Sequence, residues 1–407
     1  MSTSSKEAKV NSILLRKVIP ETARKVKYLW QNVNDIRMSV GKIHSCKQRA
    51  NRTGDLAFGN QKMFSIPKNK FISTPKLKLQ FTGTATPVVK PDIWGAACIE
   101  SIKIEHNTKL MEYYGENLTH LLMHYAKDDA IKTNIVTELG GAGGNATAIV
   151  YTAYVPIYIG QHPAQMYGKF QEPYYTGLMD STLDITVTFK SAANSLSTPD
   201  TVTAFNTCDL QYLDYWGEPL ELNLANKNYS RLMYDLKYFR QSIPFVATVE
   251  KAVDISSIAN DDVEVHDIIF QMVTDANWST AKNYNQGTAP TNYRFNVSGN
   301  DWYKSSEGSD VTDFNDDYLT KYARAPNFTQ TAASYFFLAD PYMHEAADNY
   351  SSTLDEQIMT PGCSINQLSP TLYITIATAT YWLIITCLRK RIVKYDGNFI
   401  QQIFNFK

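Results

Sequence analysis

The chain has 407 residues, 44% of them hydrophobic and 19% charged, which excludes a largely disordered polypeptide and exceeds what one core usually holds, so two domains are expected. Aromatic residues make up 12%, with 26 Tyr, a bias toward strands and large interfaces rather than helix bundles. The net charge of −1 conceals a split: residues 1–90 hold 18 Lys and Arg against 4 Asp and Glu, while residues 91–407 hold 21 against 36, so an acidic body follows a basic arm and nucleic-acid binding along the whole chain is excluded.

Residues 1–55 read as helical and basic. Pro20 suits a helix start. Beyond it Val26, Leu29, Trp30, Val33 and Ile36 recur at helical spacing, with Arg24, Lys25 and Lys27 on other faces. The shorter SILLRKVI, which carries Arg16 and Lys17, is also amphipathic. Such a helix packs on a neighbour, or lies on a membrane surface or near nucleic acid. HSCKQRANRTG then reads as a flexible joint.

From about residue 60 the texture changes to strands and turns. FSIPKNKFIS, KLKLQFTGTA, AACIESIKIEHN, AIVYTAYVPIYI and LDITVTF alternate or run apolar, and Thr201–Trp216 supplies another strand. YYGENLTHLLMHYAK differs: Leu118, Leu121, Leu122 and Tyr125 fall at helical spacing, a helical insertion in the strand series. A second series opens near residue 228 with YSRLMYDLKYF, PFVATVEKAVDI, VEVHDIIFQMV, NYRFNV and ASYFFLAD. The span 274–333 is polar and predicts a large exposed loop insertion. Many short strands, twice over, indicate sandwiches or jelly rolls.

The last run, TLYITIATATYWLIITCLRKR (371–391), has eighteen uncharged residues before a basic cluster, the outline of a membrane-spanning helix. Half of the eighteen are Thr or Ile, which favour a pleated surface over a helix. Leu372, Ile374 and Ile376 alternate with Thr371, Tyr373 and Thr375. A long, nearly fully buried strand that must bend or break is expected, with YWLIITCLRKRIV its continuation or a second strand.

Motifs that carry chemistry are sparse. LGGAGGN (139–145) lacks the Lys-Ser/Thr of a phosphate-binding loop and reads as a hairpin loop. His120 and His124 stand four apart on the expected helix without the glutamate of a zinc-protease motif, so surface or interface histidines are the simpler reading. DDVEVHD and DFNDDY lack calcium-loop spacing and read as solvated carboxylates. No GxSxG occurs. Cys46, Cys98, Cys208, Cys363 and Cys387 form no CxxC pair and read as reduced thiols of a protein made in a cytosol; the first twenty residues lack the apolar core of a signal peptide. No catalytic residue, cofactor, metal or small-molecule substrate is expected.

The order of features is similar to that of the double jelly-roll major capsid proteins of tailless icosahedral DNA viruses, especially membrane-containing bacteriophages of the tectivirus type. The resemblance rests on the basic arm, on CIESIKIEHNTKLMEYYGENLTHLLMHYAK, on the step Val155–Pro156 that closes AIVYTAYVP, and on Leu183–Phe189, all followed by a second strand-rich half. It covers about residues 58–395. Trp94–Tyr125 is similar to the family's second strand, first turn and helix. Segments expected of the capsid proteins of large eukaryotic DNA viruses are not seen.

The resemblance implies a mainly β chain of two consecutive eight-stranded jelly rolls with a helical basic N-terminal arm. The arm would be 1–57, the first roll 58–217 and the second 218–407, with the loop insertion at about 274–333. It further implies homotrimers of pseudo-hexagonal outline that tile an icosahedral virion shell, with penton and minor capsid proteins as partners. Arg16, Lys17, Arg24, Lys25, Lys27 and Trp30 of the arm would face an internal lipid membrane or packaged DNA. Trp30, Trp278 and Trp302 would sit in intersubunit contacts, and Arg389–Arg391 near the base of the second roll. Deleting residues 1–50 would spare trimers but impair shells. Two other readings compete: a carbohydrate-binding or carbohydrate-active β-sandwich with paired carboxylates in a groove, and a tail-anchored membrane protein using residues 371–388.

Overall fold

The computed structural model describes residues 44–83, 91, 93–126, 128–141, 150–161, 163–166, 174–196, 202, 204–216, 229–259, 264–284, 286–304, 334–338, 363–364, 369–395 and 400–403. The first half contains β1 (His44–Arg49), β2 (Asn51–Thr53), β3 (Gln61–Ile66), β4 (Phe71–Thr82), β5 (Ile99–His106), β6 (Thr108–Tyr114), β7 (Val150–Pro156), β8 (Tyr174–Tyr175), β9 (Leu183–Phe189) and β10 (Thr207–Trp216). The second contains β11 (Tyr229–Phe245), β12 (Lys251–Asp254), β13 (Glu264–Thr274), β14 (Asn292–Val297), β15 (Asn300–Lys304), β16 (Ser334–Leu338), β17 (Cys363–Ser364), β18 (Pro370–Thr375), β19 (Ala379–Tyr395) and β20 (Ile400–Ile403).

Strand order defines the architecture. One sheet of the first half runs β1-β10-β4-β7 and the facing sheet β3-β9-β5-β6, with β2 on its edge. Leaving aside the short β2 and β8, these are eight strands in the orders 1-8-3-6 and 2-7-4-5. The second half repeats both orders, as β11-β19-β13-β16 and β12-β18-β14-β15. Every pairing is antiparallel. Each half is a jelly roll of two Greek keys, which leaves few open sheet edges.

Residue alternation builds the cores. In β4, Leu77, Leu79 and Phe81 are buried while Lys76, Lys78 and Gln80 stay half-exposed. In β9, Leu183, Ile185, Val187 and Phe189 turn inward. Phe81 stacks on Tyr151 at 4.9 Å and meets Trp94 edge-on at 4.9 Å, closing one end of the first core. A fully buried Leu, Ile or Phe contributes roughly 1.5–3 kcal/mol relative to exposure.

Several expectations need correction. HSCKQRANRTG is no joint: it supplies β1 and β2, which begin both sheets of the first roll. Trp94–Tyr125 supplies the fourth and fifth strands of that roll and a helix, not its second strand. A second helix, Asp129–Glu138, has no counterpart in the sequence reading; Asp128 caps it by accepting from the Ile131 N–H at 2.7 Å. LGGAGGN starts as the C-terminal turn of that helix rather than as a hairpin. The span 274–333 is not one loop, because β14 and β15 lie inside it with Tyr293, Phe295 and Val297 in the core.

The run 371–388 is strand, so the tail-anchor reading falls. Among the described residues no helix is long and apolar enough to cross a membrane. The run breaks at Ile376–Thr378 and its two parts join opposite sheets of the second roll. In β18 burial alternates, since its outer face meets solvent. In β19 both sets of side chains are buried: Leu383, Ile385 and Cys387, and equally Ile384, Thr386 and Leu388.

Candidate functional site: the seam between the rolls

The outward face of the β13–β19 pair is covered by the first roll. The helix Gly115–His124 leaves β6 directly and lies on this face with all ten of its residues buried. Gly115 permits the start: a Cβ there would stand 2.4 Å from the Ala96 carbonyl oxygen and 2.6 Å from that of Ile99. Asn117 then works in both directions. Its Oδ1 accepts from the Tyr114 N–H at 3.0 Å, and its Nδ2 donates to Thr386 Oγ1 of β19 at 2.9 Å.

One turn on, His120 is buried between two strands of the other roll. Its Nδ1 lies 3.0 Å from Thr386 Oγ1 and its Nε2 lies 2.8 Å from Gln271 Oε1 of β13. With a neutral imidazole the series has one proton arrangement. Asn117 donates to Thr386, the Thr386 hydroxyl donates to Nδ1, and Nε2–H donates to Gln271. Burial favours the neutral imidazole, pushing its pKa down to about 4 despite the Gln271 contact and the nearby Glu116 carboxylate.

A second layer is ionic. The Lys190 ammonium is 2.8 Å from Glu116 Oε1 and 4.3 Å from the ring centroid of Tyr284 in the second roll. Burial, the largest single influence, lowers the Lys190 pKa; Glu116, Tyr284 and Glu100 together outweigh it and the net shift is upward. A third contact centres on the Tyr234 backbone: the Tyr158 hydroxyl donates to its carbonyl at 2.6 Å, and its N–H donates to the Gly160 carbonyl at 2.9 Å. Tyr114 packs against Tyr238 with ring centroids 4.7 Å apart and planes tilted by 31°, so β6 and β11 also meet through their rings. With buried apolar side chains on both sides and Asn117, His120 and Tyr158 bonded across it, the seam makes the two rolls one body. Burying Glu116, Lys190 and His120 without such partners would cost several kcal/mol.

The six arm residues Arg16, Lys17, Arg24, Lys25, Lys27 and Trp30 lie outside the described residues. Trp278, expected between subunits, is used within the chain: it stacks on Trp382 at 5.0 Å, with the Arg240 guanidinium 5.5 Å from its ring centroid. Arg389 is neutralised by Asp235 on the neighbouring strand, both buried. His120 and His124 form no metal pair with each other, since His120 is spent on the seam; among the described residues no group of three or more His, Cys, Asp or Glu could hold a metal ion. The sequence reading missed the seam itself. Its signal was the unalternated stretch Leu383–Leu388, with a single hydroxyl, Thr386, in its middle.

No family model matches the sequence, and no curated protein matches it. Solved structures do match. The capsid protein in the quasi-atomic model of the PBCV-1 virus capsid superposes with a TM-score of 0.68 at 11% identity, over 89% of this chain and 97% of that one. The fold is the double jelly roll of viral capsid proteins. The Faustovirus major capsid protein gives a TM-score of 0.61 at 11% identity over 87% of this chain and 90% of that one. The mavirus major capsid protein gives 0.54 at 13% identity over 90% of each. At these identities the shared property is the fold, the double jelly roll.

Proposed function

We propose that this chain is a major capsid protein, a structural protein of the virion shell that acts by self-association and not by catalysis. One observation carries this reading: two jelly rolls of the same strand order, fused by a buried seam into one body, correspond end to end with capsid proteins over nearly nine-tenths of the chain. A receptor or sugar-binding sandwich needs neither the duplication nor the seam. The carbohydrate reading also asks for paired free carboxylates, whereas the buried ones among the described residues, Glu116, Asp214 and Asp235, each sit on a cation.

The finer reading is a homotrimer of pseudo-hexagonal outline whose weak contacts with neighbouring trimers, penton and minor capsid proteins add up through avidity. A membrane-containing bacteriophage of the tectivirus type as the source rests on the order of the sequence features; the superposed structures named above come from PBCV-1, Faustovirus and mavirus. The arm, through Arg16, Lys17, Arg24, Lys25, Lys27 and Trp30, would meet an anionic membrane or genome.

Light scattering of the detergent-free protein tests the reading. A species near three times the chain mass of 46.0 kDa, with a hexagon-like outline in negative stain, is the expected result. A stable monomer at all concentrations would overturn it. A truncation that tests the arm must stop at residue 43, because β1 begins at His44. It is expected to keep trimers and impair shells.

A further inference from the structure

Four large apolar side chains among the described residues are exposed, and the two most exposed share one turn. Val246, at 61%, and Val249, at 55%, stand in the connection 246–250 between β11 and β12. The Val249 N–H donates to the Val246 carbonyl at 3.3 Å and closes the turn. Thr248 sits at φ +67°, a conformation that suits glycine and strains a β-branched residue. The Ala247 N–H donates to Thr378 Oγ1 at 2.8 Å, and the Thr248 hydroxyl donates to the Ala247 carbonyl. These bonds fasten the turn to the one between β18 and β19, whose Ala377 and Ala379 are exposed as well. The apex turns aliphatic groups outward and keeps three of its donors bonded inward.

Register sets what lies beneath the apex. Phe245 pairs with Ala379 and Ser242 with Trp382, so Trp382 stands three residues, about 10 Å, further along the strand. Trp382 and Trp278 are half-exposed and stacked, and Trp382 Nε1 donates to Asp275 at 2.9 Å. The exposed Arg240 guanidinium lies 5.5 Å and 5.8 Å from their ring centroids. Lys251 donates to the Pro244 carbonyl at the foot of the turn. Glu250, next to Val249, is held by two bonds from Arg294, each 2.8 Å. An aliphatic apex, then amphipathic rings and long cationic side chains, is the layering that a bilayer surface rewards.

We propose that this end of the second roll docks on a lipid bilayer, with Val246 and Val249 entering the acyl boundary and Trp278, Trp382 and Arg240 at headgroup level. The bonded donors of the apex carry the choice of occupant. Entry into lipid costs several kcal/mol for each unsatisfied backbone group, and the N–H groups of Ala247 and Val249 are already satisfied. The same bonds leave neither N–H free to pair with an added strand. A stable protein partner covers about 800 Å² on each side, far more than a four-residue turn offers. A convex tip of this size needs no matching pocket in a fluid surface. The contact is apolar, unlike the electrostatic one proposed for the arm, and it does not depend on the capsid reading.

Flotation of the full-length protein with phosphatidylcholine vesicles tests the tip. Salt at about 0.5 M screens binding through the basic arm. Wild type is expected to float. Val246→Asp/Val249→Asp, with unchanged melting and unchanged oligomer mass, should bind about tenfold more weakly or worse, and Val246→Leu/Val249→Leu should bind several-fold more tightly. A wild-type protein that stays at the bottom of the gradient overturns the proposal. Equal flotation of all three proteins overturns it too, because the lipid contact then lies elsewhere. Loss of oligomer mass in the Asp variant, with flotation unchanged, would show that a second copy covers the tip instead. Oligomer mass is read separately from flotation, so failure of the capsid reading and failure of this one are told apart.

Discussion

His120, on a helix of the first roll, donates from Nε2 to Oε1 of Gln271, on a strand of the second, across 2.8 Å. Thr386 holds the other ring nitrogen, so one side chain ties two strands of one roll to a helix of the other. Replacing His120 with Leu keeps apolar bulk but leaves Gln271 and Thr386 buried without that partner. A loss of about 2–4 kcal/mol is expected in urea unfolding. A loss under about 0.5 kcal/mol would show that the seam does not depend on this contact.

The seam should weaken in mild acid. Burial pushes both His120 and His106 down to about 4, from an ordinary value of 6.5. Between those values the unfolded chain binds protons that the folded chain refuses. Stability is therefore full above about pH 6.5 and falls as pH drops toward 4, by up to about 1.4 kcal/mol per pH unit for each group. Asp55, Asp254 and Asp275 are shifted down from 3.8 and lose their contribution only in stronger acid. Unfolding free energy measured from pH 7 to 5 should slope, and the slope should halve in His120→Gln. A flat wild-type profile is the contrary result.

Glu116 and Lys190 form a buried pair at 2.8 Å. Glu116→Gln or Lys190→Met alone leaves one buried charge without its counter-ion and should cost about 3–5 kcal/mol. The double variant should cost clearly less than the two added together. A double-mutant cycle on thermal unfolding reads the coupling; additive losses would mean the pair does not act as one.

Gly140 ends the helix Asp129–Glu138 at φ +120°, and a Cβ there would fall 2.1 Å from Trp94 Nε1. Gly141, at φ +74°, has nothing within 4 Å of such a Cβ. Gly140→Ala should therefore cost several times more than Gly141→Ala, for which about 1 kcal/mol is expected. Equal melting temperatures for the two variants would contradict the close approach to Trp94.

Lys62 of β3 is fully buried, donating to the Ala57 carbonyl at 2.8 Å with its ammonium 4.5 Å from the Phe189 ring centroid. Burial lowers its pKa. Lys62→Met keeps most of the volume and removes the desolvated charge, so it should be neutral or stabilising, whereas Lys62→Ala should cost about 2–4 kcal/mol by opening a cavity. Calorimetric melting of both variants distinguishes packing from charge.

Local chemistry determined much of this molecule. Alternation marked β4, β9 and β18 as strands, and the sequence reading of Leu183–Phe189 matches β9 residue for residue. Helical spacing marked Gly115–His124 within a strand series. Residue type alone turned 371–388 from a membrane helix into strand, because half its side chains are β-branched. Polar segments misled where a strand is an edge or a short hairpin. β1 meets one neighbour and shows both faces to solvent, so HSCKQR has no apolar period, and only pairing with β10 makes it a strand. What tertiary structure alone decided is which face of each sheet is a second interior. Leu383–Leu388 lost its alternation because a helix some 260 residues earlier in the chain covers the outer side, and nothing local to either segment names the other. His120, Asn117, Gln271 and Thr386 are unremarkable in sequence. They become a functional group only when two folded rolls bring three distant segments within hydrogen-bond reach, since a buried polar atom must find its partner wherever the chain places one.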